Sequence, residues 1–213
     1  MYTPKLNEVS DLGVLHRFIE QFPLGGWTAL TPEGLALNHI PFLLKKQPGN
    51  FGVLAGHVAR ANPIWRTFSK ESESLISFQG PSAYISPSWY PSKLQHQKTV
   101  PTWNYCTVQA FGMPSVIDEP EWLLQHIQEQ TDIHESKQAL PWKVSDAPED
   151  FIHKLTRAIV GIEIPIARIK GKFKLGQNRP EADQLGVQAG LLASGDHQAH
   201  ALVHFIKTIE VNA

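Results

Sequence analysis

The hydrophobic rhythm of this chain changes several times along its length. Residues 7 to 20, NEVSDLGVLHRFIE, place Val9, Leu12, Leu15, Phe18 and Ile19 at helical spacing, with Asn7 as candidate N-cap and Pro23 beyond the end. The period then shortens. WTALTPEGLALNHIPFLL predicts two short strands around a Pro32-Glu33-Gly34 turn, and Gln47-Pro48-Gly49-Asn50 makes another turn before the strand FGVLAGHV. ARANPIWRTF predicts a short helical turn. SLISFQ and SAYISP predict two further strands, and residues 100 to 111 another, with aromatic and polar positions alternating.

The second half is more helical. Glu119 to Gln130 predicts an amphipathic helix with Pro120 in its first turn and Trp122, Leu123 and Ile127 on one face. Residues 136 to 148 predict a loop. EDFIHKLTRAIVGIEIPIARIKGKFKL predicts a helix running into one long β-branched strand, and Pro180 to Val211 one or two helices broken near Ser194-Gly195. Short strands joined by Gly/Pro turns, with helices at the flanks, indicate an antiparallel barrel with helical decoration and not alternating βαβ units.

Composition narrows the class. A chain of 213 residues, 42% hydrophobic and 18% charged, can bury a core in one domain spanning 1 to 213. The net charge of −1 argues against a broadly basic nucleic-acid surface. A single cysteine, Cys106, permits no intrachain disulfide, which fits a reducing, cytoplasmic setting. The N-terminus has no signal-peptide core, and no apolar run approaches the roughly 20 residues that span a bilayer, so no membrane partner is expected.

The common nucleotide and hydrolase fingerprints are absent: no G-x-G-x-x-G, no G-x-x-x-x-G-K-[ST] and no G-x-S-x-G. Cys106, inside a predicted strand, reads as a buried small hydrophobe. The spacing of His197, His200 and His204 allows them one helical face, but without a ligand partner at fixed spacing they read as a solvated or partner-facing stripe, and no metal is expected. In GHVARANPIW, His57 and Arg60 follow an apolar strand and precede Asn62-Pro63. A cation and an imidazole at a strand end can hold a phosphate; they can also be an ordinary turn with a solvated arginine.

The stretch FQGPSAYISPSWYPSKLQHQKTVPTWNY, residues 78 to 105, is the most unusual. It holds tryptophan and tyrosine on proline-stiffened turns, with Ser86, Thr102 and Asn104 among them. Rigid aromatic walls with a few hydrogen-bonding groups suit a planar ligand with a polar edge, such as a flavin, or an aromatic dimer interface.

With HIPFLL, GHVARANP, FQGPSAYISPSWYPSK, VPTWNY, AIVGIEI and GKFKLGQNR in this order, the chain resembles the PaiB-type family of FMN-binding negative transcriptional regulators. The resemblance covers nearly the whole chain and is interrupted by the LQHQKT segment. It implies a six-stranded antiparallel split β-barrel, mainly β with flanking helices, forming a homodimer with FMN at the subunit interface. Carried onto this chain, phosphate contacts fall at His39 and Ile40 on one strand and at His57, Arg60 and Asn62 on the next. Residues around Trp89 and Trp103 then approach the ring or the partner, and Lys174, Gln177 and Arg179 close the site or merely end a strand.

The family label also implies DNA as a partner, although the sequence shows no basic recognition helix. An FMN-dependent oxidoreductase is the alternative, with enzymatic activity left open. A haem-binding barrel is another; it requires His96 or a C-terminal histidine as axial ligand.

Overall fold

The computed structural model describes residues 1–211. The strands are β1 (Glu8–Val9), β2 (Leu24–Thr31), β3 (Gly34–Pro41), β4 (Leu43–Lys45) and β5 (Val53–Ala59), followed by β6 (Ser74–Ile85), β7 (Thr102–Gly112), β8 (Ser115–Ile117), β9 (Ile159–Pro165) and β10 (Arg168–Lys174). The helices are α1 (Leu12–Gln21), α2 (Ile64–Thr67), α3 (Lys93–His96), α4 (Pro120–Glu135), α5 (Glu149–Thr156), α6 (Glu181–Ala193) and α7 (His197–Val211). The protein is mainly β and antiparallel with flanking helices. Among the described residues no helix is long and apolar enough to cross a membrane.

The chain divides into two compact units, with the division falling inside α1, β6, β7 and β10. The first comprises Met1–Phe18, Gln79–Val108 and Lys170–Ala213. Here β1 pairs antiparallel with β10, Glu8 opposite Lys172. Its helical core joins Ala83, Ile85 and Tyr90 to Val187 and Leu191 of α6 and to Ala199, Leu202, Val203 and Ile206 of α7. These α6 and α7 positions recur at three- and four-residue spacing, the apolar stripe that a helix must bury.

The second unit comprises Ile19–Phe78 and Gln109–Ile169. β2 and β3 form a hairpin in full register, Thr31 opposite Gly34, and β2 also pairs with β6 through Trp27 and Ile76. Gly34 takes φ +109°, a conformation that glycine adopts without Cβ strain. A separate antiparallel sheet runs β4-β5-β9-β8, with His57 opposite Gly161. The alternation of β9, buried at Val160, Ile162 and Ile164, sets its core face. Gly161 leaves room for an indole, since a Cβ there would lie 2.4 Å from the Trp122 ring.

Several boundaries differ from the sequence reading. α1 starts at Leu12, and Asp11 is its cap, accepting from the Val14 amide at 2.8 Å; residues 8 and 9 pair as a strand instead. The two strands expected at SLISFQ and SAYISP are one, β6. Its buried positions are Ser74, Ile76 and Phe78 before Gln79-Gly80, and Pro81, Ala83 and Ile85 after. That one-residue slip is how a bulge acts, and it hides continuity from a period-2 reading. The long strand expected after residue 158 is divided at Ile166-Ala167 into β9 and β10. β8, three residues long, gave no sequence signal.

Candidate functional site

The candidate residues fall into two groups, one in each unit. In the first unit, β6 ends at Tyr84-Ile85, and Ser86 caps the following 3-10 turn, Pro87–Trp89, by accepting from the Ser88 amide. The alternation of β7 buries Asn104, Cys106 and Val108 and turns Trp103 and Tyr105 outward. Tyr84 and Trp103 meet edge to face with centroids 6.2 Å apart, yet stay 47% and 55% exposed. An aromatic pair that open to solvent is a ready surface for a planar partner.

One cation, Lys174, lies against Trp103; a second, Lys172, lies against Tyr105 and donates to the Tyr2 carbonyl at 3.2 Å. The Lys174 ammonium donates to the Trp103 carbonyl at 2.7 Å and to the Thr102 hydroxyl, locking the start of β7 to the end of β10. The Lys172 ammonium lies 5.2 Å from the Tyr105 ring. Beyond Lys174 the chain bends at Gly176, φ +83°, facing the Asn104 amide. Gln177 closes that bend, donating to the Phe173 carbonyl and accepting from the Leu175 amide. Gln177 is therefore committed to its own turn. Arg179 lies 4.6 Å over the Tyr90 ring.

Trp89 is placed differently from Trp103. A Cβ on Gly190 would come within 2.4 Å of the Trp89 ring, and one on Gly186 within 2.2 Å of its carbonyl oxygen. The indole thus packs on α6, and its role in the structure is packing.

In the second unit the side chains expected to converge on a phosphate point to three different neighbours. His57 Nδ1 lies 3.2 Å from His126 Nε2 on α4. Asn62 donates to Asn38 at 2.8 Å and accepts from the Ile64 amide, and Ile40 is buried against Gly56. Arg60 is clamped: its guanidinium makes a two-point pair with Asp118 and donates to the carbonyls of Arg157 at 2.7 Å and Ile159 at 2.9 Å. The hydrogen bonds that Asp118 accepts raise the Arg60 pKa and hold the Asp118 carboxyl below its ordinary range. With these acceptors in place, Arg60 ties β5 to β8 and β9. His39 is exposed on β3.

Sequence reasoning missed three participants here. His126 stacks on Trp122, centroids 5.0 Å apart and 13° between planes, while Trp122 donates to Glu163 at 3.1 Å. Burial, then the charges of His57 and Lys45, push the His126 pKa down to about 4, and its Nδ1 is buried without a partner. Asp118 is the second, and nothing in its neighbourhood in sequence signals a partner for Arg60. The third is Arg66, exposed, with its guanidinium 4.2 Å over Trp65; the adjacent WR pair was its only trace. Among the described residues no group of three or more His, Cys, Asp or Glu gathers around a common point. His96 accepts from the Lys98 amide, and His200 bonds the Leu192 carbonyl.

A flavin mononucleotide needs a flat apolar surface and a cation for its phosphate; in the first unit the exposed Tyr84–Trp103 pair is a surface of that kind and the Lys174 ammonium a cation of that kind. The family described as "Putative FMN-binding domain" matches residues 1–168. Protease synthase and sporulation protein PAI 2 of Bacillus subtilis is 31% identical over 88% of this chain and 87% of its own. An uncharacterized protein of Emericella nidulans is 30% identical over 97% of this chain and 96% of its own.

Solved structures give the fold. The FAD and heme binding protein from Mycobacterium smegmatis superposes with a TM-score of 0.57 at 13% identity, covering 89% of this chain and 81% of that one. The flavocytochrome Anf3 from Azotobacter vinelandii superposes with a TM-score of 0.56 at 12% identity, covering 84% and 74%. The fold is a flavin-type split barrel, and the chain belongs to the PaiB-type FMN-binding family, with FMN as its cofactor.

Proposed function

We propose that this protein is an FMN-binding homodimer that acts in negative control of transcription, with the flavin ring against the Tyr84–Trp103 face. The observation that carries the reading is that exposed pair, with the Lys174 ammonium at the Trp103 carbonyl, in a chain of this family. Tyr84 and Trp103 supply the wall, and Lys174 holds the strand end that presents Trp103 while leaving one N–H for a ligand anion. Bound FMN supplies one- or two-electron transfer, and the protein's part is to hold and orient it.

Dimerisation is supported by apolar surface. In addition to the exposed Tyr84 and Trp103 of the first unit, the β2–β3 hairpin of the second exposes Leu24, Leu30, Leu35 and Leu37, and burying such faces against a second copy is the commonest remedy. The relation to PAI 2 of Bacillus subtilis, a protein named for protease synthesis and sporulation, supports a regulatory role. The net charge of −1 favours regulation through the flavin's state or a partner protein over a broad electrostatic grip on DNA.

Three measurements test this reading. The flavin released from denatured protein is expected to be FMN by chromatography; stoichiometric FAD or a haem spectrum overturns it. Sedimentation is expected to give a dimer that FMN tightens by linkage. Promoter DNA at several salt concentrations separates direct from indirect regulation; salt-sensitive, operator-specific binding by the protein alone removes the indirect route.

A further inference from the structure

The flavin wall stands near the two ends of one connection: Tyr84 is one residue before the end of β6, Trp103 the second residue of β7, and residues 86 to 101 lie between the strands. Most of that connection is exposed, including all of α3. Residues 89 to 92 within it meet α6 and the turn before it. α6 begins at Glu181, beyond the residues 1–168 that match the FMN-binding family.

Three contacts make the hold. Asp183, 1% exposed, directs both carboxylate oxygens at Ser92, accepting from its amide at 3.0 Å and its hydroxyl at 2.7 Å. Gly186 and Gly190 let the Trp89 carbonyl and ring approach closer than any side chain would allow. Arg179 covers Tyr90, itself 5% exposed. Asp183, Gly186 and Gly190 are three and four residues apart, so a single face of α6 addresses the connection.

A buried carboxylate is costly to desolvate unless its hydrogen bonds are well formed, so a hydrophobic residue would serve mere packing better. What a charge-assisted, two-point bond adds is geometry: it fixes the direction of the bonded backbone. Burial by itself raises the Asp183 pKa; the Ser92 amide and hydroxyl, with Arg179 and His96, outweigh it and keep the group ionised.

We infer that Asp183, with the Gly186 and Gly190 face of α6, is a latch that positions the flavin wall, so that the C-terminal helices take part in cofactor binding. The inference rests on the reading that the flavin lies against Tyr84 and Trp103. Asp183 is a positioning residue and touches no cofactor.

The test compares the full chain with its Asp183→Ala, Asp183→Asn, Ser92→Ala and Trp103→Ala variants, by amide hydrogen exchange, FMN titration and the emission of bound flavin. Asp183→Ala is expected to speed exchange over residues 87 to 96 selectively, to weaken FMN about tenfold, on the scale of a charged hydrogen bond, and to brighten the bound flavin as the indole loosens. Asp183→Asn, which keeps one acceptor, is expected to fall between, and Ser92→Ala to shift the same readouts less. If Asp183→Ala speeds local exchange while affinity and emission stay unchanged, and Trp103→Ala weakens FMN, the latch inference alone falls. If neither variant affects FMN, the wall itself is misplaced and both fall. Exchange that rises uniformly in Asp183→Ala, with Ser92→Ala unchanged, reduces Asp183 to a fold-stabilising residue and overturns the inference.

Discussion

The turn after β5 and the connection after β6 were both expected to contact a flavin, the first through its phosphate and the second through its ring. The structure treats them differently. The GHVARANPIWR turn commits its polar groups to partners in the protein: His57 meets His126, Arg60 meets Asp118 and two carbonyls, and Asn62 meets Asn38. The stretch around Tyr84 and Trp103 leaves its rings open and uses its polar groups to fix the chain that carries them. A residue type suited to a ligand is equally suited to a structural clamp, and the nearby acceptor decides which it becomes. Arg60 has Asp118; Lys174 has neutral oxygens only and retains an N–H to give.

The contrast breaks most sharply at Trp122. Trp122→Ala removes the indole that fills the space over Gly161, stacks on His126 and bonds Glu163. It is expected to cost about 3 kcal/mol of stability in denaturant unfolding, with FMN affinity unchanged in the protein that remains folded. A selective loss of FMN would place the cofactor in the second unit.

Acid is the next probe. The folded pKa of His126 is about 4, below the ordinary histidine value of 6.5. Below about pH 6.5 the unfolded imidazole binds a proton that the folded one refuses, so stability declines until about pH 4. The decline is expected to reach about 2–3 kcal/mol, and His126→Gln is expected to flatten it in urea titrations between pH 4.5 and 7.5. His57, its pKa also lowered by burial, acts in the same direction. An unchanged slope in the variant would mean that another group controls the acid limb.

Arg60→Ala tests the clamp directly. Loss of its charged bonds is expected to lower stability by about 2 kcal/mol, with FMN and riboflavin affected equally. A loss confined to FMN, at unchanged stability, would show that a phosphate replaces Asp118 in the holoprotein. The smallest effect belongs to the open region. Trp103→Ala, half exposed, is expected to leave stability nearly unchanged and to weaken FMN by about 1 kcal/mol, the scale of an aromatic stacking contact, as read by fluorescence titration. An intact affinity would move the flavin away from this face.

Much of this was legible along the chain because it depends on local rhythm. The apolar spacing of α4, the Pro-Glu-Gly hairpin turn and the alternation of β7 all follow from neighbours in sequence. The rings of residues 78 to 105 could be recognised as unusual for the same reason. The interrupted rhythms misled: Gln79-Gly80 shifts the alternation of β6, and Ile166-Ala167 divides a continuous apolar run.

The sequence by itself determined a mainly antiparallel fold, the family motifs and the residue types available for a flavin. Tertiary structure decided which of those residues remain available, because availability depends on partners distant in sequence. Asp118 reaches Arg60 across 58 residues, His126 reaches His57 across 69, and Asp183 reaches Ser92 across 91. Hydrophobic periodicity carries no record of such pairings, since a buried polar contact satisfies hydrogen-bond geometry in space and leaves no period along the chain.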